Sequence, residues 1–159
     1  FAERGLEVYS VDQSYSGLNF LRRAAVARNL RIGLTLSSFR ELPYRNNSFD
    51  AVLAFNVIYH GNRDSVVESI KEIIRISRRP TLFFGTMLSK RNDDFGLGTL
   101  VSESTFLRTH GYDAGHPHFY VDKAELTELL SKFELLSLEE TEHQQPGSWH
   151  WHFVATLEP

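Results

Sequence analysis

Cysteine is absent from the 159 residues, methionine occurs once and proline five times. Without cysteine, neither a disulfide framework nor a thiolate metal site can form. That composition suits a reducing, cytoplasmic setting. No apolar stretch nears the roughly 20 residues needed to cross a bilayer, and no signal-peptide pattern is visible, so no membrane partner is expected. Surplus charge is also scarce. Seventeen basic against twenty acidic residues leave a formal net charge of -3, with no general pull towards nucleic acid. Internal repeats and low-complexity tracts are missing. No Ser-His-Asp or paired-carboxylate pattern stands out. The length fits one domain, 1–159, able to bury a proper core.

What is present centres on Glu41 to His60. A polar turn, Tyr44-Arg45-Asn46-Asn47-Ser48, hands over to the apolar run Ala51-Val52-Leu53-Ala54-Phe55. A short apolar run bounded by turn residues predicts a strand buried on both faces, as in a parallel sheet. It ends in Asn56, with Tyr59 and His60 just beyond. Ligands of open α/β sheets sit outside the carboxyl ends of the strands, so these polar residues suggest a site.

Upstream, Leu6 to Val11 alternates as a strand and ends in Asp12-Gln13. An acid at such a tip can accept hydrogen bonds from both ribose hydroxyls of a nucleoside, or can serve simply as a turn or N-cap residue. Ser14 or Ser16 then caps a helix carrying Leu18, Leu21 and Ala25 at helical spacing, with Arg22, Arg23 and Arg28 mostly on the other face. Ile32, Leu34 and Leu36 alternate in a short strand that leads to Ser38-Phe39.

Downstream, Asn62 or Asp64 opens a helix with Val66, Ile70 and Ile73 on its apolar side, and Thr81 to Met87 reads as another buried strand. Ser89 to Gly115 has no convincing periodicity and holds Gly96, Gly98 and Gly111; long irregular segments of this kind often form lids or binding loops. Gly96-Leu97-Gly98 lacks the preceding strand and spacing of a phosphate loop. Asp122-Lys123-Ala124-Glu125 is close to a capping box and opens a helix with Leu126, Leu129, Leu130 and Phe133 along one stripe. Leu135 to Thr141 and Trp149 to Leu157 are read as strands joined through Gln144 to Gly147, compatible with an antiparallel pair. His116, His118, His143, His150 and His152 crowd this end of the chain. Pairs two apart can share a face, yet no metal site is assigned to them, and His116 or His118 is the better candidate for a pocket base.

Leu42-Pro43-Tyr44, a polar loop, Ser48-Phe49-Asp50, an apolar strand and Tyr59-His60 together resemble the middle of a class I S-adenosylmethionine-dependent methyltransferase. The resemblance implies an α/β, Rossmann-like, mostly parallel sheet with helices on both faces and a C-terminal antiparallel strand. It implies S-adenosylmethionine as cofactor, S-adenosylhomocysteine as product and a small-molecule acceptor. Asp12 would serve the ribose and Ser38 and Phe39 the adenine, Asn56 would share the same adenosyl-binding rim, and Gln13 and Tyr59 would also bind the cofactor. His60 would lie at its methionine end. His60, His116 and His118 are the catalytic candidates, and residues 89–121 would shape the acceptor pocket.

Two departures accompany these matches. Ser38 stands where the family usually has an acid, and Arg78-Arg79-Pro80-Thr81 lacks the usual glycines. The resemblance further implies that the family's first strand and glycine-rich loop would precede Phe1, with Phe1 to Gly5 the end of a severed helix. Two rival readings are a non-catalytic methyltransferase-like partner module and a nicotinamide-dependent oxidoreductase, the second opposed by the absence of a Tyr-x-x-x-Lys pattern. Oligomeric state is not legible.

Overall fold

The computed structural model describes residues 1–109, 114–143 and 145–158. Gly111 and Gln144, assigned above to the variable segment and the last connection, lie outside the described residues. The chain forms two compact units, Phe1–Pro43 and Tyr44–Pro159.

The first unit opens with a single 3-10 turn, Ala2–Arg4, closed by Gly5 at φ 81°, a left-handed conformation that glycine adopts without a Cβ clash. Strand β1 (Val8–Asp12) and strand β2 (Ile32–Leu36) pair in parallel, Asp12 opposite Leu36. A parallel pair needs a crossover, supplied by helix α1 (Tyr15–Ala27), whose Leu18 and Ala25 are buried. Ser14, rather than Ser16, is its N-cap and accepts from the Gly17 N–H.

The second unit contains β3 (Phe49–Ala54), α2 (Arg63–Ile76), β4 (Ser77–Ser89), β5 (Thr99–Ser102), β6 (Thr105–Leu107), β7 (Pro117–Val121), α3 (Lys123–Leu129), β8 (Glu134–Glu142) and β9 (Trp149–Leu157). Its sheet runs β5-β6-β7-β4-β9-β8, with β3 also on β4. Strand β4 is the spine. It pairs in parallel with β3 along its first part and with β7 at Leu88 and Ser89, while β9 lies antiparallel along its other side. The antiparallel C-terminal strand is thus where the resemblance implied it.

One apolar cluster fills the space under this sheet. Val66, Ile70 and Ile73 of α2, Leu126 of α3 and its C-cap Leu130 meet Phe83 and Met87 of β4 and Phe153 of β9. Asn62, not Asp64, caps α2 by accepting the Ser65 N–H at 3.0 Å. At α3 the capping box is complete, Asp122 and Glu125 each accepting the other's backbone N–H.

Three sequence expectations change. The strand at Ala51–Phe55 is buried on one face only: Ala54 turns into the core, whereas Leu53 is 54% and Phe55 51% exposed. Leu82 and Phe84 of the adjoining β4 share that outward face, because alternate residues of a strand point oppositely. Second, the strand expected at 81–87 extends over 77–89, since Phe49 pairs with Ser77 and the ladder shifts register around Pro80. A bulge of that kind accommodates a residue that donates no N–H. Third, the segment 89–121 is not irregular throughout. It carries the β5–β6 hairpin, turning at Ser104 with φ 52°, and β7, which starts at Pro117.

Candidate functional site

At the carboxyl end of β1, Asp12 is exposed, and its Oδ1 accepts the Ser14 N–H at 2.8 Å. The carboxylate therefore lies at the first turn of α1, where the helix dipole favours negative charge. A Cβ at Gly17 would stand 3.2 Å from Asp12 Oδ2, so the glycine leaves this side of the acid uncrowded. Gln13 Nε2 donates to Ser38 Oγ at 3.2 Å, and the Arg40 N–H donates to the same oxygen at 3.2 Å. With both lone pairs engaged, the Ser38 hydroxyl has its hydrogen to offer rather than an acceptor site. Phe39, next to it, is half-buried. The structure thus brings Asp12, Gln13 and Ser38 to one end of the β1–β2 pair. A carboxylate, an amide and a hydroxyl suit the hydroxyls and ring nitrogens of a nucleoside.

In the second unit the turn leading into β3 is fastened from α2. Arg75 donates twice to Glu72, at 2.7 Å from both Nε and Nη2, and its Nη1 donates to the Tyr44 carbonyl at 2.6 Å and to Asn46 Oδ1 at 3.1 Å. Those bonds hold the Tyr44–Ser48 loop that defines where β3 begins. At the other end of the strand, Asn56 has φ 55°. Asparagine tolerates this left-handed conformation better than most residues. Thr86 Oγ1 accepts the Asn56 N–H at 2.8 Å and donates to Asn56 Oδ1 at 3.0 Å.

Asn56 and Tyr59 open onto a cavity of about 820 Å³. The ends of β4 and β7 contribute Leu88, His118 and Tyr120; the β8–β9 end contributes His143, Ser148 and His150. Asp94 and Arg108 also line it and neutralise one another in an ion pair of 2.7 Å. Burial, with help from Asp94, pushes the Tyr120 phenol up to about 12, so it remains protonated.

The histidines form a contact network. His143 and His150 stack with ring centroids 3.6 Å apart, and His143 Nε2 lies 2.7 Å from His152 Nε2. Burial, then the neighbouring His150 and His152, takes His143 down to about 4; burial also lowers His150. Both are neutral at pH 7. His150 Nδ1 lies 2.9 Å from the Ser148 carbonyl, an acceptor only, so Nδ1 carries the hydrogen and Nε2 the lone pair. Among the described residues, no group of three or more His, Cys, Asp or Glu is placed to hold a metal ion.

The three histidines named as catalytic candidates separate. His118 is buried and lines the cavity, whereas His116 is exposed. His60 is half-buried, with its ring 4.7 Å from Tyr59 and 4.8 Å from His118. Sequence reasoning overlooked His143 and His150 as pocket residues. The i, i+2 spacing of His150 and His152 was visible, but the stacking partner His143 comes from just past the end of β8.

Residues 1–84 match the methyltransferase domain family model, and the chain belongs to that family. The glycine/sarcosine/dimethylglycine N-methyltransferase of Actinopolyspora halophila is 32% identical over 111 residues, 69% of this chain and 18% of that protein. The chain therefore spans about a fifth of that relative's length. A SAM-dependent methyltransferase from Methanosarcina mazei superposes with a TM-score of 0.82 at 16% identity, covering 99% of this chain and 84% of that one. The 1,6-didemethyltoxoflavin-N1-methyltransferase of Burkholderia thailandensis, solved with 1,6-didemethyltoxoflavin and S-adenosylhomocysteine, gives 0.72 at 17%, covering 99% and 64%. The fold is the Rossmann-like one of S-adenosylmethionine-dependent methyltransferases, and S-adenosylmethionine is the cofactor of the class. Among the described residues, no helix is long and apolar enough to cross a membrane.

Proposed function

We propose that the chain transfers a methyl group from S-adenosylmethionine to a small-molecule acceptor, as a single domain working in the cytoplasm. The observation that carries this reading is the pinned Asn56 at the carboxyl end of β3, opening onto the 820 Å³ cavity. Ligands of α/β sheets gather at such strand ends. The nicotinamide-dependent alternative has no support from the family match.

When bound, the cofactor supplies a methyl group already activated on a sulfonium sulfur. What remains for the protein is placement, since aligned reactants held in contact can account for about 7–11 kcal/mol of a barrier. In this reading Asp12 accepts from the ribose hydroxyls, Gln13 steadies Ser38 at the adenine edge and Phe39 packs on the ring, while Asn56 and Tyr59 of the second unit are further cofactor contacts. Segment 89–121 bounds the acceptor pocket, with His118 and Tyr120 on its wall. Tyr120, held protonated, can donate a hydrogen bond to an acceptor but takes no proton from it.

Calorimetric titration with S-adenosylhomocysteine, followed by transfer of label from methyl-tritiated S-adenosylmethionine to an acceptor library, tests the reading. Binding and transfer are expected. Binding without transfer to any acceptor would identify a partner module, and absence of binding would overturn the proposal.

A further inference from the structure

His150 lines the cavity and is not among the catalytic candidates His60, His116 and His118. Its position on β9 is fixed by pairing with Leu88 of β4 on one side and Thr141 of β8 on the other. His143 covers one ring face, stacked at 3.6 Å and within 3° of parallel. Phe55 continues the column, its ring 5.5 Å from His143 and 7° from parallel. Tyr59 stands 5.9 Å from the His150 centroid. The Ser148 carbonyl at 2.9 Å fixes the tautomer, leaving Nε2 as a bare lone pair on a ring that lines the cavity.

The same wall is electrically quiet. Asp94 and Arg108 cancel, Tyr120 keeps its proton and the two stacked imidazoles are neutral. Among the described lining residues, Arg108 is the one Lys or Arg and it is paired with Asp94, which leaves a phosphate or carboxylate little to bind. A flat uncharged ring finds aromatic faces, a phenol donor and an imidazole acceptor.

Resting on the methyl-transfer reading of this cavity, we propose that the acceptor is a planar, uncharged ring bearing an N–H or O–H, and that His150 Nε2 receives its proton. The balance is simple. The acceptor heteroatom bonds to the methyl carbon, the carbon–sulfur bond breaks with its electron pair going to sulfur, and the acceptor proton passes to Nε2 and then to water. A lowered imidazole basicity suits this class: a methylated ring nitrogen or phenolic oxygen sheds its proton readily, whereas an aliphatic ammonium would keep it. Aliphatic amines such as glycine are accordingly poor acceptors here.

The test uses the unmodified chain with imidazole nitrogens labelled for NMR, titrated with lumazine, uracil, catechol and, as contrast, glycine. We expect at least one ring compound to shift the His150 Nε2 resonance towards the hydrogen-bonded position, glycine to leave it in place, and His150→Gln to weaken that compound at least tenfold while binding S-adenosylhomocysteine as before. If all three ring compounds leave Nε2 unmoved, or glycine moves it equally, the inference is overturned. Loss of S-adenosylhomocysteine binding by the unmodified chain would instead strike the methyl-transfer reading, so the two failures are told apart.

Discussion

Thr86 grips Asn56 at both ends of a single residue: its hydroxyl oxygen takes the backbone N–H at 2.8 Å and its hydrogen goes to Oδ1 at 3.0 Å. The partners come from neighbouring strands, β4 and the end of β3. A left-handed backbone at Asn56 is thereby held in one orientation without relying on the ligand. Replacing Thr86 by Val keeps the shape and removes both bonds. Asn56 is exposed, so water can replace part of what is lost and the two bonds are together worth about 0.5–1.5 kcal/mol; Thr86→Val should still unfold at lower denaturant concentration and bind S-adenosylhomocysteine more weakly, both read by titration.

The histidine network makes stability depend on pH. His143 is held near pH 4 in the fold against about 6.5 in an unfolded chain. Above 6.5 both states are neutral at this group and its contribution is fully present. As pH falls from 6.5 through 4, the unfolded chain takes up a proton that the folded chain refuses, and stability declines. His143→Gln should flatten this part of the stability profile, measured as denaturant midpoint against pH.

Gly85 has no room for a side chain. A Cβ there would meet the Phe153 ring, which is 2% exposed and stacked edge-on against Phe83. Overpacking of this kind costs about 1–3 kcal/mol. Gly85→Ala is expected to lower the thermal midpoint, whereas Gly96→Ala has open space around its Cβ but a φ of 85° to strain against, and should cost less.

Much of the architecture can be read from residue patterns. The α2 apolar positions Val66, Ile70 and Ile73 repeat at helical spacing, and Asp122–Glu125 announces α3 by its capping chemistry. β9 alternates from Trp149 to Leu157 and is a strand over those same residues. Strands β5 and β6 were hidden because four and three residues are too few to show a period. Exposure of Leu53 and Phe55 was hidden for a different reason: an apolar run announces a strand, but which faces are covered depends on what packs there. Asp12, Ser38 and Asn56 were legible as residues at or just past the ends of strands. Arg75 fastening the Tyr44 loop, and His143 stacking on His150, were not, because each joins positions set by tertiary pairing.

The most direct trial of the account is calorimetry with S-adenosylhomocysteine on the unmodified chain and on Asp12→Ala. A charge-assisted hydrogen bond contributes about 1.5–3 kcal/mol, roughly a ten- to hundredfold change in affinity. The account predicts measurable binding that weakens by that factor in the variant, with a modest fall in thermal midpoint from the lost Ser14 N–H bond and first-turn charge. Equal affinity in the two proteins would contradict it.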